Sequence, residues 1–77
     1  MNRRYGTAIF TTHEVVDHKA GSVGIELHRQ IDAEKKCVAT LLFWDATGQF
    51  AFQTFGEVPL DIVEELITEA RITIQIQ

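Results

Sequence analysis

The period of the apolar residues changes once along this chain, close to its only proline. Before Pro59 the side chains alternate, which is the mark of half-buried strands. After it Val63, Leu66, Ile67 and Ala70 recur at spacings of three and four, the stripe of an amphipathic helix. A chain that is strand first and helix last can bury both by laying the helix on the sheet.

The strand part contains one strong hairpin signal. Residues 37–44 and 49–55 are rich in β-formers and flank Asp45-Ala46-Thr47-Gly48. Asp suits the first turn position, and Gly suits the position that needs positive φ. A four-residue loop pairs Trp44 with Gln49, Phe43 with Phe50, Leu42 with Ala51 and Leu41 with Phe52. Alternation then predicts two faces. Cys37, Ala39, Leu41, Phe43, Phe50 and Phe52 form the core side. Val38, Thr40, Leu42, Trp44, Ala51 and Phe55 stand on the other.

Upstream, Val23, Ile25, Leu27 and Ile31 alternate with polar or small residues, so Ser22–Ile31 reads as a strand. Residues 32–36 form a short polar connection. Pairing Ile31 with Cys37 and Leu27 with Leu41 makes the apolar faces coincide. Residues 4–12 favour a first strand. The next stretch has two readings: Thr11 and Glu14 have capping-box spacing, whereas Val15 and Val16 favour extended chain. The strand reading, continued to about Val16, is adopted. Pro59 suits the first helical position, with Asp61 and Glu64 near the positive end of the helix dipole. The tail 72–77 alternates strictly and reads as a last short strand, on an edge or across a dimer.

The expected fold is therefore α+β, with residues 1–77 as a single domain. A four-stranded antiparallel sheet, in the order β-β-β-β-α with that terminal strand to follow, carries one helix on one face. Seventy-seven residues bury only roughly 60% of their unfolded surface, so the core must be dense or a second copy must add burial. A net charge of −4 argues against duplex nucleic acid as a partner. No apolar run is long enough to span a bilayer, and the start of the chain lacks a secretory pattern, so a cytoplasmic location is expected. A single cysteine excludes an internal disulfide and a zinc site built on cysteines.

No motif points to catalysis. His13 and His18 are five apart, whereas the helical zinc motif needs four; in a strand, five puts them on opposite faces. An enzyme would need His13, His18 or His28 to converge with Asp17 or Glu26. Cys37 reads as a small buried hydrophobe facing inward. Ser22 lacks the glycine spacing of a nucleophile elbow, and Gly21 and Gly24 make no phosphate loop. No cofactor, metal or catalytic residue is expected.

The informative feature is the second sheet face. One helix of about 12 residues cannot cover both sides of the sheet. Val38, Leu42, Trp44 and Phe55 among polar neighbours have the composition of a contact surface. The helix adds an acidic stripe, Asp61, Glu64, Glu65 and Glu69, read as lying opposite its apolar side; Asp61, Glu65 and Glu69 are candidates for tuning partner choice. The leading expectation is a non-enzymatic protein–protein interaction module, docking with itself as a homodimer or with another protein. The alternative is a small-ligand module with a pocket between helix and sheet, lined by Phe43, Phe50 and Phe52. Single-stranded RNA on the aromatic face is a weaker option that the charge opposes.

Overall fold

The computed structural model describes residues 1–74 of the chain. Among them five strands precede one helix: β1 (Asn2–Tyr5), β2 (Ala8–Asp17), β3 (Ser22–Ile31), β4 (Glu34–Trp44), β5 (Gln49–Thr54) and α1 (Leu60–Thr73). The strands form one antiparallel sheet in sequence order, and α1 packs on one face of it. The α+β class is as expected, with one strand more. The expected first strand is two, because Gly6 at φ 63° turns the chain and Tyr5 then faces Ala8. Residues 13–16 continue β2, so the capping-box spacing of Thr11 and Glu14 starts no helix.

The β4–β5 hairpin has the register that its turn dictates. Trp44 faces Gln49, Phe43 faces Phe50, Leu42 faces Ala51 and Leu41 faces Phe52, with Gly48 at φ 66°. At the β2–β3 turn, the Asp17 carboxylate accepts hydrogen bonds from the Lys19 and Ala20 amides at 3.1 and 3.0 Å.

The β3–β4 hairpin differs from expectation. Its loop is two residues, Asp32 and Ala33, with Asp32 at φ 55°. Ile31 therefore faces Glu34 and not Cys37. Leu27 faces Ala39, and His28 faces Cys37, so Val38 is left between the two pairs as a β-bulge. At the bulge two successive residues of β4 turn inward: Val38 and Ala39 are both in the core, at 1% and 0% exposure. The side-chain phase of β4 reverses there. Val38, expected on the open face, is buried beneath α1. Cys37, expected inward, belongs to the open face, where its sulfur lies beside Glu26 and His28. Beyond the bulge the expected phase holds, with Leu41 buried and Phe43 packed against the core.

Pro59 sits just before the helix rather than in its first position, and its carbonyl accepts from the Ile62 and Val63 amides. The buried stripe is Ile62, Leu66, Ala70 and Ile74, a spacing of four. Ile67, expected in that stripe, is 37% exposed, and Val63 is half-buried. Ile72 and Thr73 are helical, not strand; residues 75–77 of the expected terminal strand lie outside the described residues. The core joins Ile62, Leu66 and Ala70 to Phe10, Ile25, Leu27, Val38 and Leu41.

Gly24 is where the sheet tolerates no side chain. A Cβ there would lie 2.2 Å from the Leu41 carbonyl oxygen, 2.7 Å from Leu42 Cα and 2.8 Å from Leu42 Cδ2, because the backbone of the neighbouring strand passes close to the glycine. Gly24→Ala is expected to lower the urea midpoint by the equivalent of about 1–3 kcal/mol. Gly56→Ala, where a Cβ meets nothing within 4 Å, should leave the midpoint nearly unchanged.

Candidate functional site

The face of the sheet away from α1 carries two neighbourhoods, set by cross-strand pairing. At one end Val15, Gly24, Leu42 and Ala51 lie side by side across four strands, followed by Ser22, Trp44 and Gln49. Towards the other end come His13, Glu26, Thr40 and Gln53, then Thr11, His28 and Cys37. The first neighbourhood is apolar at its centre, with Ser22 and Gln49 at its margin, and the second holds Glu26, His28 and Cys37.

The polar cluster follows from the bulge. His28 Nε2 lies 3.1 Å from Glu26 Oε1, two residues away on the same face of β3. The Cys37 thiol, brought to this face by the phase reversal, donates to the Ala39 carbonyl at 3.4 Å. One donor atom each from Glu26, His28 and Cys37 lies within 4.8 Å of the others, and all three residues are half-buried. The His13 ring stands edge-on to that of His28, with centroids 4.6 Å apart and planes at 79°. Two of the three histidines thus converge beside Glu26. His18 is held apart in the β2–β3 turn, and Asp17 is used by that turn. A zinc site built on cysteines alone is excluded, but Glu26, His28 and Cys37 form a mixed donor set that could hold a metal ion. The sequence pattern missed it because Cys37 was phased with Leu41. What brings Cys37 opposite His28 is the two-residue Asp32-Ala33 turn, which carries no Asn-Gly or Asp-Gly signature in the sequence.

Burial pushes the Cys37 thiol above its ordinary pKa, and the negative charge of Glu26 adds to the rise. The thiolate fraction at neutral pH is correspondingly small.

The expected contact residues divide. Leu42 and Trp44 are half-buried on the open face, beside Val15 and Ala51. Val38 is in the core. Phe55 is 53% exposed just past β5, and its amide donates to the Val38 carbonyl. That places it at the opposite end of the β4–β5 ladder from Trp44, roughly 20 Å along the strand at about 3.4 Å per residue. Phe55 and Trp44 do not form one patch.

The helix acids divide as well. Glu65 and Glu69, expected on the outer surface, lie on the flank facing β1. Glu65 accepts from Arg3 Nη1 at 2.6 Å, and Glu69 from the Met1 amino group. The Arg3 guanidinium is held above its ordinary pKa, first by the hydrogen bond to Glu65. Only Asp61 of the three candidate acids is exposed without an ion pair among the described residues. In-chain cations have taken much of the charge that a basic partner would meet.

On the helix side α1 leaves β5 uncovered. A groove of about 190 Å³ runs between them, lined by Leu41, Phe50, Ile67, Ala70 and Arg71. Of the three phenylalanines expected to line such a pocket only Phe50 does; Phe43 meets Phe50 edge to face, with centroids 5.3 Å apart, and Phe52 is 46% exposed.

Comparison with protein-family models, with curated proteins and with solved structures yields no match to this chain. No helix among the described residues is long and apolar enough to cross a membrane.

The raised thiol pKa sets an expected pH profile. Alkylation of Cys37 by iodoacetamide at pH 7–8 should be slower than that of a free cysteine, approaching it only at more alkaline pH. Glu26→Gln removes one cause and should move the profile part of the way down; burial, the larger cause, remains. An alkylation rate equal to that of free cysteine across the range would contradict this.

Proposed function

We propose that this chain is a non-enzymatic protein–protein interaction module that associates with a second copy of itself through the open face of its sheet. The observation that carries the reading is the uncovered face: one helix packs on one side, and the other side presents Leu42 and Trp44, with Val15 and Ala51 completing the patch. An aromatic and aliphatic cluster rimmed by Ser22, Gln49 and Thr40 has the make-up of an interface centre with a polar rim. Two such sheets can stack about 10 Å apart, as in a sandwich. Val38 and Phe55 play no part in this patch, and Asp61 is the helix acid left to tune a partner's approach. A reducing compartment such as the cytoplasm suits a chain whose single thiol stays free.

Burying one Trp is worth about 1.5–3 kcal/mol, and a symmetric dimer buries two, one Trp44 from each copy. Trp44→Ala is therefore expected to raise the dimer dissociation constant on the order of a hundredfold or more. Analytical ultracentrifugation over a concentration series measures this, with circular dichroism to show that the variant stays folded. A wild-type chain that remains monomeric at the highest concentration, unchanged by the substitution, rejects the reading.

The groove between α1 and β5 favours a second reading, a small-ligand module. Its walls are those expected for an apolar ligand, but its volume is below the roughly 300–1,000 Å³ of ordinary ligand sites. On this reading the chain takes up a small apolar fluorophore and Ile67→Trp, which fills the groove, abolishes uptake. Equal uptake by both chains would reject it.

A further inference from the structure

We propose that Glu26, His28 and Cys37 form a binding site for a borderline-soft divalent transition metal of the Zn²⁺ class on the open face of the sheet. The donor set is a carboxylate, an imidazole and a thiol, the three side-chain types that bind such ions. Their geometry is close to what one ion needs. A tetrahedral site with bonds of about 2.0–2.3 Å holds its donor atoms roughly 3.3–3.8 Å apart. Here His28 Nε2 and Glu26 Oε1 are 3.1 Å apart, and all three donor atoms lie within 4.8 Å of one another.

A second observation points the same way. Cys37 reaches this face because of the bulge at Val38. Were β4 regular, with Val38 taking its turn in the alternation back from Ala39, the thiol would point towards α1. Bulges re-aim single side chains next to functional sites, and this one re-aims the only thiol of the chain onto a Glu–His pair.

On binding, the ion replaces the hydrogen bond between His28 and Glu26. Cys37 coordinates as the thiolate, and its proton passes to solvent. Three protein donors leave a fourth position for water, on a face that is open beside the exposed His13. The site lies in the polar half of the face and belongs to one chain, so binding does not rest on the docking proposed for Trp44 and Leu42.

Cobalt(II) is the probe, titrated into the reduced full chain at a concentration low enough to keep it dispersed. The expected result is a thiolate-to-cobalt charge-transfer band that saturates at one ion per chain and is abolished by added zinc. Cys37→Ser should remove the band. His28→Gln and Glu26→Gln should each weaken binding at least tenfold with native circular dichroism. Zinc should also slow alkylation of Cys37 saturably in the unsubstituted chain, a readout that needs no variant to fold. Absence of the charge-transfer band, or absence of zinc protection, overturns the proposal. So does a band with the same midpoint in both His28→Gln and Glu26→Gln, which would mark a single thiol picking up metal unaided.

Discussion

Leu27 faces Ala39 across β3 and β4, and His28 faces Cys37, so Val38 between them has no partner. That one unpaired residue reconciles two demands that a straight strand could not meet together. The two-residue Asp32-Ala33 turn fixes the register at one end of β4, and the four-residue turn at Asp45–Gly48 fixes the core phase of Leu41 and Phe43 at the other. The mismatch is a single residue, and the bulge absorbs it. Both consequences are chemical: an additional valine enters the core, and the thiol leaves it for a surface that already carries a carboxylate and two imidazoles.

The placement of α1 divides the molecule in a second way. Its stripe of Ile62, Leu66, Ala70 and Ile74 is narrow, so the helix covers the centre of the sheet and not its whole width. On the β1 flank polar contacts finish the seal, with Arg3 and the Met1 amino group meeting Glu65 and Glu69. The Arg3–Glu65 pair is exposed and adds little to stability, but both pairs use up charge that sequence alone presents as available. On the β5 flank nothing equivalent exists among the described residues, and Leu41, Phe50 and Ile67 border a shallow apolar groove.

Much of this was legible from local pattern. The β4–β5 pairing followed from one turn and simple alternation, and the phase of Leu42 and Trp44 came with it. The layering of helix on sheet followed from the change of period at Pro59. What pattern could not supply is the sum of two registers. Asp32-Ala33 lacks the Asn-Gly or Asp-Gly signature of a two-residue hairpin, so the loop looked longer than it is, and no bulge was needed to join it to the core. Gly6 likewise carried too little signal by itself to divide the first strand. For the helix, Ile62 and Ile67 are equally apolar, and only the approach angle to the sheet decides that the former is buried and the latter exposed. Glu65 and Glu69 looked like solvent-facing acids because their cations lie more than sixty residues away.

The two lateral strands of the sheet are unlike in composition. β1 carries Arg3 and Arg4, charges that discourage another chain from zipping onto its free backbone groups. β5 reads Gln-Phe-Ala-Phe-Gln-Thr, six residues with two phenylalanines and a threonine as β-formers and with neither charge nor proline. Such a hexapeptide has the make-up of a steric-zipper segment, and here it sits at a margin where no gatekeeper interrupts it. Fibril growth from crowded or partly unfolded chains would accordingly start at Gln49–Thr54 and not at the arginine-bearing side.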